Sequence, residues 1–402
     1  MKKLFLSILL SSICFYTFAQ ADNKIIIGTI DSIQSKILNE KRKIWVHVPN
    51  SDPNSLFSKE RYPVVYLLDG DAHFSSVVGM IEQLSNVNGN TVFPKMIVVG
   101  IPNTDRSRDL TPIKDPISPM SGGGEQFFSF IEKELIPYID STYSTQPYKI
   151  LIGHSLGGLA VMNSFINHTQ LFNSYICIEP SLWWGGKQIF LKAAEKALSE
   201  KNFAGTTFYL GIANTLGNAM TLNNAVKDTT LATIHIRSIL EFDKFVKSHQ
   251  PKGLKYTSKY YQNDSHSSVP LIAEYNALHF IFDKYPFELS GKDYDDSTID
   301  VAHNYALHYN EVSGQFGYTV KPPENEVNNM GYEFLQMKQY KKAEAFFNMN
   351  IRNYPESFNA YNAYGDYFVA IGNKAKAIEN FKKALSIREY PECRQKLNKL
   401  LE

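Results

Sequence analysis

Tyr148-Lys149-Ile150-Leu151-Ile152-Gly153-His154-Ser155-Leu156-Gly157-Gly158-Leu159-Ala160-Val161-Met162 is the stretch that decides the fold. Its opening residues form an apolar run that reads as a buried strand. Its closing residues read as the start of a helix. Between them, Gly153 to Gly157 make a G-x-S-x-G pattern. Strand, sharp turn and helix are the setting in which that pattern lifts a serine hydroxyl clear of a sheet. Glycines without Cβ let neighbouring backbone approach the turn closely. The spacing predicts a nucleophile at Ser155.

Strand-like apolar runs recur on both sides, at 43–48, 63–68, 96–100, 175–178, 207–212 and 254–261. The central ones are continuously apolar, as strands covered on both faces are. Helix-like stretches such as 125–138 and 231–248 separate them. The alternation predicts an α/β fold: a mostly parallel sheet with helices on both faces, and an antiparallel edge made by the early, more polar runs.

At 402 residues the chain exceeds one ordinary core. Its net charge of +1 gives no basic surface for nucleic acid. Met1-Lys2-Lys3 followed by an apolar stretch to Ala19 reads as a signal peptide, residues 1–19, too short to span a bilayer. Cys14 raises lipidation as an alternative, although Ile13 stands where a small residue is wanted. The expectation is an exported protein, periplasmic or secreted, with no membrane span. Cys177 and Cys393 fall in different domains and read as buried apolar side chains, not a disulfide.

The domain reading is 20–288 for the α/β unit, 289–323 for a linker with a helix at about 298–312, and 324–402 for a small all-α C-terminal domain. In that last segment Gly331, Ala343 and Phe347 recur 34 residues on as Gly365, Ala377 and Phe381, with Pro355 loosely matched by Pro391. The period and residue set resemble the tetratricopeptide repeat. Two repeats bury a core poorly. They are expected to dock on the preceding helix or on the α/β unit, with 391–401 as a capping helix.

A serine needs a base, and the base an orienting partner. In this architecture the histidine comes last, after the final strand. Gln262-Asn263-Asp264-Ser265-His266 follows the last run, so His266 is the candidate base. His279 sits in a helical pattern and reads as packing. His73, His154 and His235 fall outside the expected order. The acid is open: 213–217, after the run at 207–212, holds no carboxylate. Glu179, at the tip of the strand beside the elbow, is preferred over Asp228, and a serine–histidine dyad without an acid is the third option. Oxyanion donors are expected from the N–H of Leu156 and, in the loop after the third strand, of Asp71. Trp183 and Trp184 either pack under their loop or line a cleft for a sugar or aromatic ring. Arg106, in an arginine–aspartate run, is a candidate substrate contact, although such runs more often form ion pairs.

Residues 66–71, 153–158, 180–184 and the His266 loop together resemble the "Putative esterase" family of α/β-hydrolases, the group of esterase D, siderophore esterases of the enterochelin type, feruloyl and acetylxylan esterases and mycolyltransferases. The resemblance covers about 24–287 and looks closest to the enterochelin-esterase-like branch. It implies Ser155 as nucleophile, His266 as base, donors at Leu156 and Asp71, a small-molecule ester substrate and no metal or organic cofactor. The acid stays open, because the usual aspartate loop departs from the pattern. The expectation is a serine esterase acting through an acyl-enzyme. The other readings are an inert scaffold whose repeats recruit a protein partner, and an acyltransferase.

Overall fold

The computed structural model describes residues 24–49, 55–116, 118–217 and 220–402. The expected signal segment and Cys14 lie outside the described residues.

Eight strands form one sheet: β1 Thr29–Ser35, β2 Glu40–His47, β3 Tyr62–Leu68, β4 Ile97–Ile101, β5 Thr145–His154, β6 Ser174–Ile178, β7 Thr206–Ala213 and β8 Leu254–Tyr261. Their order is β1-β2-β4-β3-β5-β6-β7-β8. β1 and β2 pair antiparallel, as do β2 and β4; every other neighbour is parallel. β3, β4 and β6 are buried at every position, as continuous apolar runs covered on both faces must be.

The α/β unit carries helices α1 Gly70–Ser85, α2 Arg106–Leu110, α3 Gly124–Phe130, α4 Ile136–Thr142, α5 Leu156–Asn167, α6 Lys187–Glu200, α7 Leu222–Lys227, α8 Ile234–His249 and α9 Val269–Ile281. Alternate residues of each strand face opposite layers. Tyr66, Leu68 and Leu151 pack under α3 to α6 and α8, whereas Val65, Leu67, Ile150 and Ile152 pack under α1 and α9. The stretch expected as one helix over 125–138 runs from α3 into α4 through a π turn, Ile131–Leu135. The segment expected as a loop at 68–74 is already helical from Gly70. A Cβ on Gly70 would sit 2.6 Å from the amide nitrogen of Ile101, so only glycine lets α1 begin hard against β4.

Helices α10 Gly291–Asp295, α11 Val301–Phe316, α12 Glu324–Gln336, α13 Tyr340–Asn353, α14 Phe358–Ala370, α15 Lys374–Ile387 and α16 Pro391–Leu401 complete the chain. α12 with α13, and α14 with α15, are the two predicted hairpins, and α16 caps them. The Phe347 and Phe381 rings lie against Gly331 and Gly365, where a Cβ would approach them to 2.7 and 2.5 Å. The linker helix is a shared wall. Phe316 of α11 stacks on Tyr148 of β5 at 4.6 Å, while Tyr305 and Tyr309 enter the core of the repeats. The repeats also reach the α/β unit directly, where Glu324 Oε2 accepts the Ser58 N–H at 2.7 Å. Cys177 and Cys393 are buried free thiols.

Candidate active site

Ser155 joins β5 to α5 with φ 61° and ψ −115°, a left-handed φ that a residue with a Cβ adopts only under constraint. The constraint is local. Its N–H donates to the Ile178 carbonyl at 3.0 Å, and its own carbonyl accepts from Leu159 and Ser181. A Cβ on Gly153 would fall 2.4 Å from the Gly157 carbonyl oxygen, so the chain closes the elbow only with glycine there. These bonds tie the serine to the tip of β6 and to the residues on either side of Glu179.

Glu179 is fully buried, at φ 45°. Its N–H donates to the Gly211 carbonyl at 2.9 Å, and its Oε1 accepts the Ala213 N–H. Oε2 lies 3.3 Å from Nδ1 of His266 and 2.9 Å from Nε2 of His235. Burial drives its carboxyl pKa up. The hydrogen bonds from His235 and His266, the His235 charge and the Ala213 amide more than offset that and leave it below the ordinary value.

His266 hangs from the turn between β8 and α9. That turn is fastened by Asn214 N–H to the Asp264 carbonyl at 2.8 Å and by Val269 N–H to the Ser265 carbonyl at 3.0 Å. With Nδ1 turned to Glu179, Nε2 occupies the other end of the ring. The His154 ring, one residue before the serine, lies 4.5 Å from the His266 ring. Burial first, then the neighbouring imidazoles of His266 and His73, push the His154 pKa down to about 4, so it is neutral at pH 7.

The two expected oxyanion donors are first-turn amides, Leu156 of α5 and Asp71 of α1, where an α-helix leaves N–H groups without an intrahelical acceptor. Arg106 clamps the two turns together. Its Nε and Nη2 grip Asp69 at 2.6 and 2.9 Å, and Nη2 also reaches the His154 carbonyl at 3.2 Å. The guanidinium named as a substrate contact is thus engaged within the protein. The tryptophans divide: Trp184 donates its indole N–H to the Ile113 carbonyl at 2.9 Å, while Trp183 is 38 % exposed. Asp228 bonds Thr230 and Thr233 at the approach to α8, while His266 takes Glu179 as its carboxylate, and Thr233 first among its partners holds the Asp228 carboxyl down at about 2. His279 packs beside Phe93 and Tyr275.

His235 stands outside the chain order expected of the base. Its signal is positional: the segment after β7, where the acid is expected, delivers a histidine that bonds the same Glu179 oxygen as His266 does.

A family described as "Putative esterase" matches residues 35–235, half of the chain, and one described as "Tetratricopeptide repeat" matches 358–391. The ferri-bacillibactin esterase BesA of Bacillus subtilis is 31% identical over 184 residues, covering 41% of this chain and 63% of that protein. The siderophore enterobactin esterase of Emericella nidulans is 28% identical over 149 residues, 32% of this chain and 49% of that one. The chain thus spans about half to somewhat under two thirds of these relatives. Among solved structures, an IroE-like serine hydrolase from Shewanella oneidensis superposes with TM-score 0.68 at 27% identity, covering 81% of this chain and 99% of that one.

Proposed function

The chain belongs to the "Putative esterase" family, and on that footing we propose that it is a serine hydrolase of carboxylic esters. The observation that carries the proposal is the pairing of Nδ1 of His266 with the buried Glu179 beside a strained elbow serine. The Ser155 oxygen attacks the ester carbonyl carbon while Nε2 of His266 takes its proton. The imidazolium so formed faces the Glu179 carboxylate. The N–H groups of Leu156 and Asp71 receive the oxyanion. As the tetrahedral species collapses, His266 returns the proton to the leaving alcohol. Water then repeats the sequence and frees the acid from Ser155.

Siderophore esters are the substrate class we favour, because the two curated relatives carry that activity in their names. Trp183 offers an exposed face two residues beyond Ser181, whose N–H is bonded to the nucleophile's carbonyl. An aromatic ring of the substrate would stack there. Export through residues 1–19 is part of the same proposal and rests on Lys2, Lys3 and the apolar run alone.

A fluorophosphonate probe tests the chemistry. Wild type should label covalently and hydrolyse p-nitrophenyl acetate; Ser155→Ala should do neither while keeping its circular dichroism. Labelling that survives the substitution, or no labelling of wild type, overturns the assignment. Siderophore, feruloyl, acetyl-sugar and simple acyl esters, compared on the purified chain, then decide the substrate.

A further inference from the structure

Three donor atoms from three separate elements converge beside the elbow: Oε2 of Glu179 at the tip of β6, Nε2 of His235 on the first turn of α8, and Nδ1 of His266 in the turn before α9. All lie within 4.8 Å of one another. A catalytic triad needs one imidazole on its acid. The second one, 2.9 Å from the same oxygen, has no part in that chemistry.

Two imidazoles and one carboxylate oxygen are a donor set for a borderline divalent ion such as Zn²⁺, and a poor one for Mg²⁺ or Ca²⁺. Tetrahedral ligands about 2.0–2.1 Å from zinc stand roughly 3.4 Å apart; the carboxylate oxygen lies 2.9 and 3.3 Å from the two imidazole nitrogens, and all three donors fall within 4.8 Å, so an ion would draw the two rings in around it. The carboxylate is oriented by a fixed outer bond, since Oε1 is held by the Ala213 N–H and Oε2 is left as a single donor. The imidazoles are 22% and 37% exposed, which gives an ion a way in from solvent.

We propose that Glu179, His235 and His266 form a Zn²⁺-class binding site whose occupancy switches the hydrolase off. Turnover requires a proton on Nδ1 of His266 and a bare lone pair on Nε2. A metal ion takes the Nδ1 lone pair, so the neutral ring carries its proton on Nε2 instead. That nitrogen then donates and cannot accept the Ser155 proton. The shift moves one proton within the ring and changes no oxidation state. Binding stands on the geometry alone; the switch rests on the hydrolase reading.

The test is a zinc titration of the tag-free full chain, stripped with chelator, against a chromophoric zinc indicator. One ion should bind per chain. His235→Ala, and His235→Gln in case the first fails to fold, should weaken binding about tenfold or more, while Ser155→Ala should bind as wild type does. Zn²⁺ should abolish p-nitrophenyl acetate hydrolysis, EDTA should restore it, and Mg²⁺ should do nothing. No stoichiometric binding, or binding that neither His235 variant weakens, overturns the site. Binding with turnover intact overturns the switch. Binding by a chain that never labels with fluorophosphonate leaves the site standing and removes the hydrolase reading instead.

Discussion

Nδ1 of His266 meets Oε2 of Glu179 at 3.3 Å, so the imidazole that follows the last strand is aligned by an acid from the strand beside the elbow. The same oxygen also takes a hydrogen bond from His235, and the other carboxylate oxygen holds the backbone of Ala213. Glu179→Gln keeps the shape and the Ala213 contact but removes the charge that faces the imidazolium. It should lower kcat by roughly 10²- to 10⁴-fold with KM little changed. Steady-state kinetics on a siderophore or p-nitrophenyl ester check this. A kcat within about threefold of wild type would remove Glu179 as the acid that supports His266.

The backbone of Ser155 is held at φ 61° and ψ −115° by bonds to Ile178 and Ser181. Glycine reaches that conformation freely, whereas serine and alanine do not. Ser155→Gly should therefore raise stability by about 1 kcal/mol as it abolishes turnover, and Ser155→Ala should leave stability near wild type. Thermal unfolding of the two variants side by side decides it; a glycine variant that melts lower would mean the elbow stores no strain.

Arg106 spans Asp69 at the end of β3 and the His154 carbonyl at the end of β5. Between them the two strand ends present the first-turn amides of α1 and α5. Arg106→Lys supplies a charge but not the planar fork. We expect kcat to drop about tenfold through looser oxyanion donors. Arg106→Ala should further cost about 1–3 kcal/mol, because Asp69 is buried and loses both guanidinium donors, keeping the Asn103 amide at 2.7 Å. A pure KM effect in the lysine variant would instead make Arg106 a substrate contact.

What the sequence discloses tracks how local the cause is. The elbow, the buried strands and the 34-residue recurrence are short-range patterns of apolar, glycine and aromatic residues, and each lies where its spacing puts it. Glu179 was legible as a preference because it follows immediately on a rigid strand end. His235 was not, since what brings it to Glu179, 56 positions earlier in the chain, is the packing of α8 against the site. The start of α1 was hidden for another reason. Asp69 is a residue type favoured at an N-cap, but Gly70 directly after it reads as a turn, and Asp69 caps the helix at φ 52° without a side-chain bond. The role of α11 as a wall common to both units depends on Phe316 and Tyr305 facing different cores, and a polar stretch ahead of that helix resembles a linker in composition.

The repeats offer a test that leaves the site untouched. Phe381 occupies the space where Gly365 has no side chain, and a Cβ there would be 2.5 Å from the ring. Gly365→Val puts three carbons against a fully buried phenyl group. It should cost about 2 kcal/mol or more, beyond any gain in helix propensity. Denaturant unfolding followed by circular dichroism gives the loss. An unchanged midpoint would show that α14 and α15 can separate without penalty.

Glu274 on α9 gives the clearest pH dependence outside the site. Its side chain is buried and its Oε2 lacks a hydrogen-bond partner. Burial alone pushes its pKa up to about 8 from an ordinary 4.5. Between those values the folded chain holds a proton that the unfolded chain has released. Raising the pH through that window therefore lowers stability, by an amount on the order of 1.4 kcal/mol for each pH unit crossed. Glu274→Gln keeps the shape and has no charge to bury. It should match wild type near pH 4.5 and become progressively more stable than wild type up to about pH 8. Other titrating groups act equally in both chains and cancel in the difference. Unfolding free energies measured at intervals across this range give the test, and two parallel curves would mean that Glu274 ionises in the folded protein as readily as it does in the unfolded one.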